Sequence, residues 1–208
     1  MARPKAVTFD VGGTLIEPWP SVGDIYARVA AEHGFELSAA ALNERFRAAW
    51  QARRDFKHRR EDWARLVDRT FGTLVPSGAT GTFFDTLYDR FAEADAWRVF
   101  DDVWPALHSL TQLQVKLGII SNWDERLRPL LRNLKLDEPF AVIVSSHEAG
   151  YLKPAPEIFL AAAHQFALAP AEILHVGDTV AEDIEGARAA GMPGFWLDRP
   201  RNSLAHIL

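Results

Sequence analysis

Apolar positions along this chain change their spacing twice. Near the N-terminus, Lys5 to Phe9 places Ala6, Val7 and Phe9 in a short run that stops at Asp10, the pattern of a buried strand. Gly12 and Gly13 follow and turn the chain. The segment Glu17-Pro18-Trp19-Pro20 breaks regular structure and reads as a linker. From Ser21 to about Phe100 the apolar residues recur at helical spacing instead. Ser21 and Asp24 start a first helix with Ile25, Val29 and Ala30 on its apolar stripe, ending near Gly34. Ser38 caps a second, carrying Leu42, Phe46, Ala49 and Trp50. Trp63, Leu66, Val67, Thr70 and Phe71 predict a third, and Phe83, Phe84, Leu87, Tyr88 and Phe91 a fourth after the Ser77-Gly78 turn. No strand pattern interrupts this stretch.

From Asp101 onward helix and strand spacing alternate. A helix near Val103–Leu113 precedes an apolar strand from Val115 to Ile120 that ends at Ser121-Asn122. Asp124 opens a helix with Leu127, Leu130, Leu131 and Leu134 on one face, its regular part delayed by Pro129. Ala141 to Ser145 is the next strand, and Pro156 suits the first turn of a helix carrying Ile158, Phe159, Ala162 and Phe166. Ile173 to Val176 is a strand stopping at Gly177-Asp178. Thr179 and Glu182 read as a capping box, with Gly191 closing the helix they begin and Gly194 to Leu197 as a last strand. Apolar strands alternating with helices predict an α/β fold, a doubly wound parallel sheet of Rossmann-like form covered on both faces. The expected organisation is a core of residues 1–16 and 101–208, interrupted by a helical cap at 17–100.

Composition narrows the function classes. The 208 residues carry a net charge of -5, which argues against nucleic acid as a partner. There is no cysteine, so disulfides, thiolate catalysis and cysteine-based zinc sites are excluded. Met1-Ala2-Arg3-Pro4 leads straight into the first strand with no room for a signal peptide, and no apolar run approaches the ~18 residues needed to span a bilayer. The expectation is a soluble, cytoplasmic protein, a monomer or small homo-oligomer with no membrane partner.

The candidate chemistry lies at the strand ends: Asp10 after the first, Ser121 after the second, Lys153 beyond the third, Asp178 and Asp183 after the fourth. The C-terminal ends of parallel strands converge on one crevice, so these groups can share a site. Gly12 and Gly13 allow backbone N–H groups to approach an anion, and Thr14 adds a hydroxyl. Asp10 and Asp178 are hard oxygen ligands suited to magnesium, Ser121 and Lys153 suit phosphoryl oxygens, and Asp10 suits a nucleophile that is phosphorylated and then hydrolysed. Each residue also has a plainer reading. Asp10 can cap a turn, Ser121 can cap the following helix, and Lys153, held extended before Pro154, can be a surface lysine. His175 reads as a hydrogen-bonded core residue. The run Arg53-Arg54, Lys57-His58-Arg59-Arg60, interleaved with Asp55, Glu61 and Asp62, reads as a solvated, paired helix face, or else as an attractor of anions. Trp19 and Trp123 are the tryptophans placed to line a pocket.

Four segments together resemble the haloacid dehalogenase-like hydrolases, in the group with a helical cap inserted after the first motif. They are Asp10-Val11-Gly12-Gly13-Thr14, Ser121-Asn122, Lys153 within Gly150-Tyr151-Leu152-Lys153-Pro154, and Gly177-Asp178 through Asp183. The resemblance implies phosphoryl transfer on a small phosphorylated metabolite with Mg2+ as cofactor. Catalysis would fall to Asp10, Ser121 and Lys153, and substrate contacts to Gly13, Thr14 and Asn122. The metal would be held by Asp10, Asp178, Asp183 and the Gly12 carbonyl, with Asp183 either a direct ligand or a support for Lys153 or a metal-bound water. One departure stands out. Phosphatases of the superfamily carry a second Asp two residues after the nucleophile as general acid and base, and here that position is Gly12. Such a group contributes ~10²–10⁴-fold, so alkyl phosphates should be slow and acyl or aryl phosphates less affected. Metal-independent dehalogenation of 2-haloacids, lysine-based phosphonate cleavage through Lys57, and a catalytically weak binding role are the alternatives.

Overall fold

A computed structural model describes residues 3–199 and 201–207. Met1-Ala2, read above as the direct lead into the first strand, and Leu208 at the end of the expected core lie outside them. The chain divides into two compact units, Met1–Glu17 with Val99–Leu208, and Pro18–Arg98.

The first unit is built on strands β1 (Ala6–Phe9), β4 (Lys116–Ser121), β5 (Val142–Ser145), β6 (Ile173–Gly177) and β7 (Gly194–Trp196), numbered along the whole chain. They form one sheet in the order β5-β4-β1-β6-β7, and every pairing is parallel. The order reverses at β1, where Phe9 lies beside Ile119 on one side and Val176 on the other. A crevice opens beyond the strand ends at such a reversal, and Asp10, Ser121 and Asp178 sit there.

Helices flank the sheet because its central strands are buried and mainly apolar. Helix α8 (Pro156–Phe166) turns Ile158, Phe159, Ala162 and Phe166 onto Ile120, Val142, Val144 and Ile173. Helix α5 (Val103–Gln112) buries Val103, Ala106, Leu107 and Leu110, and α6 (Leu127–Asn133) buries Leu127, Leu130 and Leu131. Two short helices, α7 (Ser146–Ala149) and α9 (Gly186–Ala189), complete the unit. Ser145, read as a strand end, also caps α7, its Oγ accepting the Glu148 N–H, and Ser146 begins that helix.

The second unit holds α1 (Val22–Glu32), α2 (Ala39–Gln51), α3 (Arg60–Phe71) and α4 (Phe84–Arg90) around Ile25, Tyr26, Val29, Leu42, Val67, Phe71, Phe83 and Leu87. Tyr26 and Phe71 stack with centroids 5.6 Å apart. Ser21 and Ser38 cap α1 and α2 through their side chains, as the sequence predicts.

Three expectations need correction here. The segment read as a linker, Glu17 to Pro20, overlaps strand β2 (Ile16–Pro18), and the stretch expected to hold no strand contains β3 (Trp97–Val99), the two pairing in a two-stranded ribbon. Proline is tolerated because both are edge strands, and the ladder ends through the Trp19 N–H donating to the Ala96 carbonyl at 2.9 Å. The basic run is not a helix face. Helix α2 ends at Gln51 and α3 starts at Arg60, so most of the run is loop, with Asp55 and His58 at φ of 50° and 56°. The buried Asp62 carboxylate folds this loop back by accepting the N–H groups of Lys57 at 2.9 Å and Arg59 at 3.0 Å. Among the described residues no helix is long and apolar enough to cross a membrane.

Candidate active site

Asp10 is carried one residue past β1 and is buried, its N–H donating to the Val176 carbonyl of β6 at 2.9 Å. Ser121, the last residue of β4, donates its hydroxyl to Asp10 Oδ1 at 3.0 Å. Lys153 Nζ donates to the same oxygen at 2.6 Å and to Asp183 Oδ1 at 2.5 Å. Asp10, Ser121, Lys153 and Asp183, separated widely in the chain, therefore meet in one buried cluster. Asp178 joins it from the end of β6: carboxylate oxygens of Asp10, Asp178 and Asp183 all lie within 4.8 Å of one another.

Two amide hydrogen bonds fix Lys153. The Lys153 N–H donates to Asn122 Oδ1 at 2.7 Å, and Asn122 Nδ2 donates back to the Lys153 carbonyl at 3.0 Å. Asn122 Nδ2 also reaches Glu182 Oε2 at 3.1 Å. Asn122, expected to contact substrate, is buried, with its amide engaged by the lysine's backbone and by Glu182.

Asp183 is held from three directions. Its Oδ1 accepts from Lys153 and faces His175 Nε2 at 3.3 Å, while its Oδ2 accepts the Thr179 N–H at 2.9 Å. His175 is fully buried, with Nδ1 3.0 Å from Thr8 Oγ1, in keeping with its reading as a hydrogen-bonded core residue. The predicted Thr179–Glu182 capping box does not form. No side chain caps this turn, the chain runs as a wide π-type turn over Val180–Glu185, and Asp183 takes the Thr179 N–H while Glu182 goes to Asn122. An acceptor one residue further along the turn and a distant amide donor thus replace the expected local cap.

The glycine turn differs from expectation at Gly13. The Gly13 N–H donates to the Ile16 carbonyl at 2.8 Å and the Thr14 N–H to the Val11 carbonyl at 3.3 Å, so both are spent within the turn rather than offered to an anion. What Gly13 supplies is space. At φ of 80°, its missing Cβ would lie 2.5 Å from Asp178 Oδ2, so any side chain would expel that carboxylate. The Thr14 side chain, expected beside the anion, is fully buried, and its Oγ1 has no hydrogen-bond partner among the described residues.

Burial raises the Asp10 carboxyl, and Asp183 adds to the rise against the attraction of Lys153. Burial would lower Lys153, but Asp10 and Asp183 outweigh it and hold the ammonium above its ordinary value. Asp183 is lowered, its burial overcome mainly by Lys153. Burial keeps His175 low and so neutral. Asp178 is raised to about 7, first by burial and then by Asp10 and Asp183. Three carboxyl groups thus face one ammonium, an excess of negative charge that a divalent cation would relieve. The donors are hard oxygens suited to magnesium, and the space at Gly13 admits Asp178 to them, so the residues fit such an ion.

A family model matches most of the chain. The haloacid dehalogenase-like hydrolase model covers residues 4–191. The chain belongs to that family. It is therefore a hydrolase, and the α/β class expected from the alternation of its elements is that of the family. Haloacid dehalogenase-like hydrolase domain-containing protein 3 of Bos taurus is 32% identical over 207 residues, covering 94% of this chain and 82% of that protein. Among solved structures, a HAD phosphatase from Thermococcus onnurineus is 26% identical with a TM-score of 0.66, covering 95% of this chain and 88% of the other. A defluorinating L-2-haloacid dehalogenase is 25% identical with a TM-score of 0.74, covering 95% and 82%. Phosphatases and dehalogenases therefore both stand among the similar structures of this hydrolase.

The sequence reading did not assign Glu182 and Ser146 to the site. Glu182 was absorbed by a plausible capping pattern. Ser146, which accepts the Trp123 N–H at 3.0 Å and faces the Trp123 carbonyl at 3.2 Å, follows a strand end with no pattern of its own.

Proposed function

We propose that this hydrolase is a magnesium-dependent phosphatase acting on a small phosphorylated metabolite through an aspartyl-phosphate on Asp10. The observation that carries this reading is the gathering of the Asp10, Asp178 and Asp183 carboxylates within 4.8 Å around a single lysine. A site with that excess of negative charge repels a phosphate dianion, and more weakly a haloacid carboxylate, unless a cation is present. The phosphatase reading accounts for the acidic groups; metal-free dehalogenation leaves them as a cost.

The residues divide the work as follows. Ser121 and Lys153 both hydrogen-bond Asp10 Oδ1, which aims Oδ2 at the incoming phosphorus. Asp10 Oδ2 forms a bond to phosphorus as the bond to the leaving oxygen breaks, and the pair of electrons departs with that oxygen. Water then attacks phosphorus, releasing inorganic phosphate and restoring the carboxylate. Lys153 stays charged throughout and balances the charge on the transferring group, while Ser121 can turn its hydroxyl to a phosphoryl oxygen. Asp183, with both oxygens already engaged, serves as the anchor of Lys153. Asp10 and Asp178 would hold the magnesium ion, assisted by the Gly12 carbonyl, and the ion would supply the positive charge that lets a phosphate dianion approach Asp10. The helical unit, as a cap, would select the metabolite. With a net charge of -5 the protein has no electrostatic draw to nucleic acid or anionic membrane, and a cytoplasmic monomer or small homo-oligomer fits this role.

The test is phosphate release from acetyl phosphate, p-nitrophenyl phosphate and a sugar phosphate, with magnesium or with chelator, in the native protein and Asp10→Asn. Magnesium-dependent release that falls to background in Asp10→Asn is expected. Halide release from 2-chloropropionate in chelator, with no phosphate release from any substrate, would replace this reading with dehalogenation.

A further inference from the structure

The position two residues after Asp10 is not simply bare. A Cβ built on Gly12 would lie 3.3 Å from Cζ3 of Trp123 and 4.0 Å from its Cη2, so the six-membered ring of the indole covers the space a side chain there would enter. Trp123 continues directly from Ser121, whose hydroxyl is on Asp10, and Asn122, whose amide holds Lys153. Its own backbone is clamped. The Trp123 N–H donates to Ser146 Oγ at 3.0 Å, Ser146 Oγ donates to the Trp123 carbonyl at 3.2 Å, and the His147 N–H donates to the same carbonyl at 3.2 Å. The residue is only partly buried.

We propose that Trp123 is the specificity-determining residue of this site. Its indole, seated over Gly12, forms an aromatic wall beside Asp10 where a leaving group would pass. A group leaving along that wall meets an apolar π face and receives no proton from position 12. Two consequences follow from elementary chemistry. The leaving oxygen must be stable as an anion, which a phenolate or enolate-like oxygen is and an alkoxide is not. Its substituent must also profit from contact with an indole, which a flat, aromatic group does. The substrate class selected is therefore the phosphate monoester of a phenol or similar flat, acidic alcohol. The ring also sets the outcome expected of Gly12→Asp alone: the new carboxylate would be desolvated against the indole or would have to push it aside.

This inference rests on the phosphatase reading for its chemistry, so its test combines a binding arm with a turnover arm. In the binding arm, calorimetry with magnesium compares phenylphosphonate and methylphosphonate, which cannot be hydrolysed as esters. The native protein should bind the phenyl compound about five- to tenfold more tightly, and Trp123→Ala should abolish that preference while binding methylphosphonate as before. In the turnover arm, kcat/KM is measured for p-nitrophenyl phosphate and n-propyl phosphate in the native protein, Trp123→Ala, Gly12→Asp and the double variant. Trp123→Ala should raise KM for the aryl ester with little change in kcat. Gly12→Asp alone should gain nothing on the alkyl ester, and the double variant should gain about tenfold or more. Equal affinity for the two phosphonates in the native protein, or a preference surviving in Trp123→Ala, overturns the inference. So does a gain in Gly12→Asp equal to that of the double variant. A Trp123-dependent phenyl preference without turnover of any ester would retain the aromatic wall and defeat the phosphatase reading instead. Trp123→Phe, which keeps an aromatic face, should retain most of the preference and guards against a folding defect in the alanine variant.

Discussion

Lys153 in the core unit and Asp62 in the helical unit each sit among partners of opposite charge, in very different surroundings. The Lys153 side chain is 1% exposed and lies between Asp10 and Asp183, themselves buried. Asp62 is buried too, but its ionic partner Arg65 is 67% exposed, and the carboxylate's remaining bonds come from the backbone of Lys57 and Arg59. In the first cluster burial shields the groups from solvent, so each charge leans on its neighbours and removing one strands the rest. In the second, solvent screens the ion pair and the carboxylate serves as a loop tie. Such dependence among buried charges tends to mark a place where chemistry, rather than stability, has set the residues.

The sharpest way to break this comparison is Lys153→Met. It leaves Asp10 and Asp183 buried without an ammonium, and stability should fall by about 3–5 kcal/mol in chelator near neutral pH. The deficit should narrow on acidification, because the raised Asp10 carboxyl takes up a proton and removes one of the stranded charges. Urea unfolding of native and variant protein at several pH values measures both. A loss below about 1 kcal/mol at neutral pH would place Lys153 in the same class as a surface pair.

Asp178 tests the same cluster from its open side. Its carboxyl, raised to about 7 by burial and by Asp10 and Asp183, holds a proton in the folded protein that the unfolded chain releases near ~3.9. The metal-free protein should therefore lose stability as pH rises between those values, with no further change from this group above about 7. Magnesium held there, as the proposed function requires, would compete with that proton, so its affinity should weaken as pH falls below about 7, by up to about tenfold per unit. Asp178→Asn should melt a few degrees above native protein in chelator at pH ~8, corresponding to about 1 kcal/mol, and should lose the rise that magnesium produces. Thermal melts at pH ~6 and ~8, with and without magnesium, read all of this. A magnesium-induced rise preserved in Asp178→Asn would remove this residue from the ion's ligands.

The sheet and the cluster at its edge were legible for one physical reason. A strand buried on both faces must be an apolar run, and the residue ending the run is then placed by topology alone. Asp10, Ser121 and Asp178 all follow from that, and Lys153 and Asp183 from their order after the later strands. Features set by competition among hydrogen-bond partners were not legible. Thr179 and Glu182 carry a good local cap pattern, yet Asp183 and Asn122 take their hydrogen bonds. The N–H groups of Gly13 and Thr14 are accepted by carbonyls of their own turn, which no residue type at those positions announces. Strands β2 and β3 are too short for a period, and Pro18 reads as a break. The loop before α3 was taken for a helix face because charged residues at alternating sign have no apolar stripe to contradict it. The covering of Gly12 by Trp123 joins two segments that only the folded chain brings together.

The smallest effects are expected in the helical unit, where the tie at Asp62 can be separated from an ordinary surface pair. Asp62→Ala removes the acceptor for the N–H groups of Lys57 and Arg59 at the start of α3, a change of the kind that costs about 0.5–2 kcal/mol at a helix N-terminus. Burial would raise this carboxyl, but the two N–H groups and Arg65 outweigh it and hold it below its ordinary value. A lowered acid stabilises the fold above the unfolded value of ~3.9, and that contribution fades as pH falls toward the folded value. The Asp62→Ala deficit should therefore be full at pH ~7 and shrink below pH ~4. Asp85→Asn supplies the contrast. Asp85 is 81% exposed in its pair with Arg60 at 2.7 Å, and Arg60 keeps its place over the Tyr88 ring at 4.3 Å without it. Its loss should cost less than about 0.5 kcal/mol and vanish in ~1 M salt, whereas the Asp62→Ala deficit should persist there because backbone hydrogen bonds are not screened. Urea unfolding in low and high salt decides the matter: equal salt sensitivity in the two variants would mean that Asp62 acts only through Arg65, and the loop tie would have to be given up.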